Sequence, residues 1–219
     1  EDKAQQFNRA TESYINPGSS IKPILEYALA FDKLGYSTAH TVTDKPIFLY
    51  ETDILVSNAY GQGYSGDMLI TEALARSLNT PAIQLLEEVI DKVGEDEVIA
   101  YLNSIGFDYA NKSTFDLQWA IGGNQCLVTP VQLAGAHAVL MNNGKYIKPH
   151  TVTRVEYRGK YNTIEDYVAD TAGTQALSAD AAYMTATLEN YNVTSGWISQ
   201  YNLLKRKYPT FAKTGTSNF

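Results

Sequence analysis

The sequence predicts one mainly helical α+β domain, and three observations carry that prediction. Six segments repeat their apolar residues at helical spacing, two further segments read as strands, and no linker, internal repeat or low-complexity tract divides the 219 residues. A chain 44% hydrophobic and 19% charged has ample material for a core and lies far from the composition of disordered chains.

The first helix follows Asn16-Pro17-Gly18-Ser19-Ser20, with Ile24, Leu25, Ala28 and Leu29 on one face and Gly35 as its end. Pro23 is tolerated only because the first turn has backbone N–H groups without carbonyl partners. Thr43 to Asp67 is rich in Gly, Pro, Asn and Tyr without a clear period and reads as a long surface excursion. A short helix from Glu72 to about Ser77 breaks at Leu78-Asn79-Thr80. Thr80 as N-cap and Pro81 at the first position then start a helix with the stripe Ile83, Leu85, Leu86, Val89, Ile90 and Val93, closed by Gly94. Glu95 to Ser104 forms another, capped by Gly106. Thr129-Pro130 repeats the capping device for a helix reaching Asn142-Asn143-Gly144, and Tyr146 to Tyr157 has β character. Residues 158–177 are weakly patterned. Ser178 caps a last helix to about Asn190, and Thr210 to Thr216 reads as a terminal strand.

Charge and composition exclude several functions. The formal net charge is −7 and no basic run exists, which argues against a nucleic-acid partner. A single cysteine, Cys126, precludes an intramolecular disulfide and a cysteine-built metal cage, and His40, His137 and His150 are too dispersed for a histidine metal site. No metal or cofactor is expected. No apolar stretch approaches the roughly 18 residues of a membrane span, so no membrane contact is expected from this segment. The sixteen tyrosines read as amphipathic packing residues, which bury area while reaching water.

Three short motifs could do chemistry. Ser19 and Lys22 are three apart at a helix start, so a lysine amine can approach a serine hydroxyl there, and a neutral lysine can take its proton. Neutrality demands burial or a nearby cation. Ser77-Leu78-Asn79 presents a hydroxyl and an amide at a helix break, and Lys213-Thr214-Gly215-Thr216 a cation and two hydroxyls around a glycine that admits close backbone approach. Taken singly, each has a plain structural reading: Ser19 an N-cap, Lys22 a solvated lysine, Ser77 and Asn79 turn residues, Lys213 to Thr216 a surface strand.

In this order the three are the signature set of penicillin-binding proteins and serine β-lactamases. Phe7-Asn8-Arg9-Ala10-Thr11, Pro17 to Pro23, Glu72 to Pro81, Val128 to Ala134 and Asn142-Asn143-Gly144 extend the likeness. The chain thus resembles the transpeptidase domain of bifunctional, class A-type penicillin-binding proteins over most of residues 7–218. The resemblance implies a penicillin-binding protein/serine β-lactamase-like α+β fold, with helices around an antiparallel sheet. It implies Ser19 as nucleophile toward a D-Ala-D-Ala peptide, Lys22 as its proton acceptor, Ser77 as proton relay and Lys213 as the cation that keeps Lys22 neutral. Asn79, Thr214, Gly215 and Thr216 form the implied substrate-binding set, and the N–H groups of Ser19 and Thr216 the implied oxyanion hole. Ser20 cannot substitute for Ser19, because three residues after it stands Pro23.

The partners implied are stem peptides ending in D-Ala-D-Ala, β-lactam antibiotics and an upstream glycosyltransferase domain, at the extracytoplasmic side of a bacterial membrane with the anchor outside this segment. Two readings compete: a β-lactam sensor or binding module without turnover, and a serine β-lactamase. The class A β-lactamase is disfavoured because Glu165 is followed four residues later by Ala169, not Asn. In the family, strands flank both ends of this stretch, so the expectation is a domain truncated at both ends, with an incomplete sheet and inactive when isolated.

Overall fold

A computed structural model describes residues 7–49, 53–61, 63–155 and 167–216. Pro23 has no N–H to donate, and Gly18–Ile24 winds as a tighter 3-10 turn before α1 (Glu26–Lys33) begins. The excursion expected after Thr43 is bounded by a hairpin ladder. Strand β1 (Thr41–Asp44) pairs antiparallel with β2 (Gly66–Leu69), Val42 opposite Met68, and both side chains are buried.

Next come α2 (Ile70–Ala75), α3 (Asn79–Val93), α4 (Glu95–Ser104) and α5 (Pro130–Met141). The expected cap at Thr80 is replaced. Leu78 occupies the N-cap position, so Thr80 falls inside the first turn, and its hydroxyl donates to Asp44 Oδ1 at 2.5 Å, a buried charged acceptor. Thr129 makes the full capping box with Gln132, each side chain meeting the other residue's backbone N–H.

The β character expected after Tyr146 resolves into two short ladders. Strand β3 (Lys145–Tyr146) pairs with β6 (Thr174–Gln175), and β4 (Arg154–Val155) with β5 (Tyr167–Val168), all antiparallel. Of the weakly patterned residues 158–177, those from 158 to 166, Glu165 included, lie outside the described residues, and the rest supply β5 and β6. Helix α6 (Ala179–Ser195), capped by the Ser178 hydroxyl, runs five residues past Asn190 because Asn192 and Val193 are buried on its inner face. Thr210 to Thr216 forms no ladder among the described residues. Its backbone is held by side chains instead: Asn190 Nδ2 donates to Thr210 O at 3.0 Å and Asn192 Nδ2 to Ala212 O at 2.9 Å.

Helix α1 lies at the centre, packed against α3 on one side and α6 on the other. Tyr27, Leu29, Leu74, Leu86 and Trp119 are fully buried around it. Burial of these apolar surfaces is the main stabilising term and fixes α1, hence the turn that precedes it. The fold is thus α+β, helices with small antiparallel ladders.

Candidate active site

Ser19 lies half-buried in the 3-10 turn, wedged between two backbone segments. Gly18 N donates to Gly122 O at 3.2 Å. Gly122 has φ +66°, and a Cβ there would overlap the Gly18 carbonyl. On the other side a Cβ at Gly215 would overlap the Pro17 carbonyl, while the Thr216 backbone rests against Gly18. Sequence reasoning anticipated the close approach at Gly215 and missed Gly122, whose only signal is the pair Gly122-Gly123.

Ser77 leaves α2 with φ +59°, a left-handed conformation that costs a non-glycine residue on the order of 1–3 kcal/mol. Its hydroxyl accepts from Lys213 Nζ at 2.7 Å, and Lys213 also donates to the Thr214 carbonyl at 3.0 Å. Lys22 is completely buried and donates to Ser77 O, Leu78 O and Asn79 Oδ1 at 2.9, 2.9 and 2.8 Å. Those three acceptors use every N–H of an ammonium, so the Ser19–Lys22 hydrogen bond that the motif implies is not formed. Burial holds Lys22 well below the ordinary lysine value, Lys213 pushes the same way, and Glu26 opposes them. Burial likewise brings Lys213 down to about 7, against the pull of Glu26 and Glu189.

Asn79 is braced by groups that no motif announced. Its Nδ2 donates to Ser57 O at 2.9 Å, and its backbone N–H to Asn58 Oδ1 at 2.8 Å. Buried Asn58 in turn donates to buried Asp44, which also accepts from Thr80 and from Ser65 N. The hairpin thereby sets the orientation of the amide that meets Lys22. Thr214 N donates to Tyr201 OH at 2.7 Å, an acceptor lying in a 3-10 turn (Ser199–Leu204) that the sequence did not signal. His137 Nε2 lies 3.0 Å from the Ser20 carbonyl, which can only accept, and its Nδ1 is 3.1 Å from Glu189, tying α5 and α6 to the turn that carries Ser19.

Ser19, Ser77, Asn79, Thr214, Gly215 and Thr216 all line one cleft of about 980 Å³, with Lys22 and Lys213 beneath it. Among the described residues, no group of three or more His, Cys, Asp or Glu could hold a metal ion, and no helix is long and apolar enough to cross a membrane. A hydroxyl beside a cavity, two buried amines, an amide and a backbone-lined rim are groups of the kind that acyl transfer through a serine requires. The family model described as penicillin binding protein transpeptidase domain matches residues 1–219. The chain belongs to this family.

Relatives of the transpeptidase domain agree. Penicillin-binding protein 1A of Streptococcus pneumoniae is 29% identical over 97% of the chain, and penicillin-binding protein 4 of Bacillus subtilis 34% identical over 70% of it. The chain spans 29% and 24% of those proteins' lengths, respectively. Among solved structures, the imipenem acyl-enzyme complex of penicillin-binding protein A from Mycobacterium tuberculosis superposes with a TM-score of 0.75 over 97% of the chain and 51% of that protein, at 21% identity. Penicillin-binding protein 1A of Haemophilus influenzae does so with 0.65 over 86% of the chain and 31% of that protein, at 25% identity. The penicillin-binding fold predicted from the motifs is therefore the fold of this domain.

Proposed function

We propose that the domain is a peptidoglycan DD-transpeptidase working through an acyl-enzyme on Ser19. The observation that carries this reading is the meeting of Lys213 with Ser77 at 2.7 Å and of Lys22 with Asn79 at 2.8 Å, beside a cleft that Ser19 lines. Lys22 releases one of its three acceptors and, as a free amine, takes the Ser19 proton while Oγ attacks the penultimate D-Ala carbonyl. The oxyanion collects on the N–H groups of Ser19 and Thr216, whose segments the glycine contacts press together. Collapse expels the terminal D-Ala, its amine protonated through Ser77, whose hydroxyl is polarised by Lys213. Asn79 holds the donor peptide's amide, and Lys213, Thr214 and Thr216 its carboxylate. The amine of a second stem peptide then takes the acyl group, closing a cross-link and freeing Ser19. A β-lactam enters the same path and stops at the acyl-enzyme. In this reading the parent protein carries an upstream glycosyltransferase domain and works on the extracytoplasmic side of the bacterial membrane.

The test is covalent labelling of the full-length protein by a fluorescent penicillin, with D-Ala release from a stem-peptide substrate measured in parallel. Both should vanish in Ser19→Ala, with mass spectrometry placing the wild-type adduct on Ser19. Labelling that survives Ser19→Ala overturns the nucleophile assignment. Labelling without D-Ala release replaces the transpeptidase by the sensor reading.

A further inference from the structure

A tryptophan left half-exposed in the wall of a cleft contributes little to packing and offers a flat apolar face to a ligand. Trp197, between α6 and the 3-10 turn Ser199–Leu204, is 53% exposed and lines the cleft together with Arg76. The ring has a fixed neighbour: the Arg76 guanidinium lies 5.1 Å from its centroid, within the range of a cation–π contact. Arg76 is itself held, Nη1 pairing with Glu72 Oε1 at 3.3 Å and Nη2 donating to Ser65 Oγ at 2.7 Å. Two further contacts locate Trp197 within the cleft. Arg76 directly precedes Ser77, whose hydroxyl meets Lys213 at 2.7 Å. Four residues beyond Trp197, the Tyr201 phenol accepts from Thr214 N at 2.7 Å. The ring therefore borders the groups that the transpeptidase reading gives to the departing D-Ala: Ser77 for its amine, Lys213 and Thr214 for its carboxylate.

We propose that Trp197 is a specificity-determining residue: its face is the wall on which the acceptor peptide lies while its amine takes the acyl group from Ser19. The proposal rests on the transpeptidase reading and names the subsite which that reading leaves open. Transfer to an amine is the acylation step run backwards, so the incoming nitrogen enters where the leaving nitrogen went out. The nitrogen forms its bond to the acyl carbon, the bond from that carbon to Ser19 Oγ breaks, and the proton given up by nitrogen ends on Oγ. Water competes for the same carbon, yielding a free acid and the same Ser19 hydroxyl. Water needs no wall. An acceptor does, because an amine held against the acyl-enzyme attacks at an effective concentration that free solution does not reach. An indole face suits an amine-bearing side chain, whose methylene stem lies on apolar carbon while the nitrogen stays free to react.

The experiment uses the full-length protein, a stem peptide ending in D-Ala-D-Ala with its own amines acetylated as donor, and either Nα-acetyl-lysine or glycine as acceptor. The first acceptor carries its amine on a long methylene stem, and the second has no such stem. Product analysis gives the ratio of aminolysis to hydrolysis, a partition set after the acyl-enzyme has formed and independent of how fast it forms. In Trp197→Ala the ratio with Nα-acetyl-lysine should fall about fivefold or more and the ratio with glycine less than about twofold. Trp197→Phe, which keeps an aromatic face, should retain most of the wild-type ratio. An unchanged ratio in Trp197→Ala overturns the proposal, and so does an equal fall with both acceptors, the mark of a general distortion of the cleft. Wild type that releases D-Ala and passes the acyl group only to water has no acceptor wall, which overturns it as well. Trp197→Gln carries the test if Trp197→Ala does not fold; failure of both makes the ring a structural residue and overturns the proposal. Absence of D-Ala release in wild type refutes the transpeptidase reading itself, and this subsite with it.

Discussion

At the scale of the residue, Lys213 carries the sharpest consequence, because one ammonium serves Ser77, Thr214 and the charge of Lys22. Lys213→Met should slow penicillin acylation by roughly 10²–10³-fold, the usual effect of losing an acid–base partner or a preorganised donor. A loss below about tenfold would remove Lys213 from the machinery. Its titration makes a separate prediction. Burial sets the folded value at about 7 against 10.5 for the free side chain, so between those values the unfolded chain binds more protons. This lysine therefore makes stability rise with pH through that window, and its contribution fades as pH falls toward 7. Urea midpoints taken across the window should rise less steeply in Lys213→Met; an equal rise would show that the amine is solvated. The motifs singled out Ser19, Lys22, Ser77, Asn79 and Lys213 to Thr216 as candidates, and the structure brings them to one cleft. Asp44, Asn58 and Tyr201 were illegible: a buried acid, an amide and a phenol in loops and turns acquire meaning only from neighbours remote in sequence.

At the scale of the element, two substitutions separate stability from site geometry. Thr129→Ala removes the capping box of α5 and should cost about 1 kcal/mol. That lowers the melting temperature by roughly 2–4 °C in a chain of this size, with the acylation rate unchanged. Gly122→Ala acts the other way. The left-handed backbone alone penalises alanine by about 1–2 kcal/mol, and the new Cβ meets the Gly18 carbonyl, so the turn holding Ser19 must shift. Acylation should fall at least tenfold while the helical circular dichroism persists, and an unaltered rate would show that the turn is not held by this contact. The same contrast explains what the sequence let one read. Thr129-Pro130 and Glu95–Ser104 gave correct helix bounds, and Ser178 a correct start, because caps and period are local. Thr80 misled because the helix begins at Asn79, one residue before it, and Thr210 to Thr216 because side chains and a carbonyl of α6, not a strand, meet its backbone.

At the scale of the whole molecule, the site is assembled from residues near opposite ends of the chain, and the two parts are held by unlike forces. Ser19 and Lys22 lie in the 3-10 turn that leads into α1, and α1 packs against α3 and α6 in the hydrophobic core. The segment Thr210 to Thr216, which carries Lys213, is tied by polar contacts to the end of α6 at Thr210 and Ala212 and to Tyr201 at Thr214. Apolar burial is cooperative over the domain, whereas a few side-chain-to-backbone bonds open locally, so the half-site bearing Lys213 should be the less stable. Native-state hydrogen exchange tests this. Amides of Leu29 and Leu86, both in the core, should exchange only through global unfolding, and that of Thr214 orders of magnitude faster. Tyr201→Phe deletes the phenolic acceptor of Thr214 N, a bond worth about 1 kcal/mol net, and should speed that amide's exchange about fivefold with almost no change in melting temperature. Acylation should slow in step, because the cation polarising Ser77 and the rim of the cleft open with the segment. If Thr214 exchanges as slowly as Leu29, the segment is an integral part of the core. The two halves of the cleft then unfold together, and Tyr201→Phe must cost global stability instead.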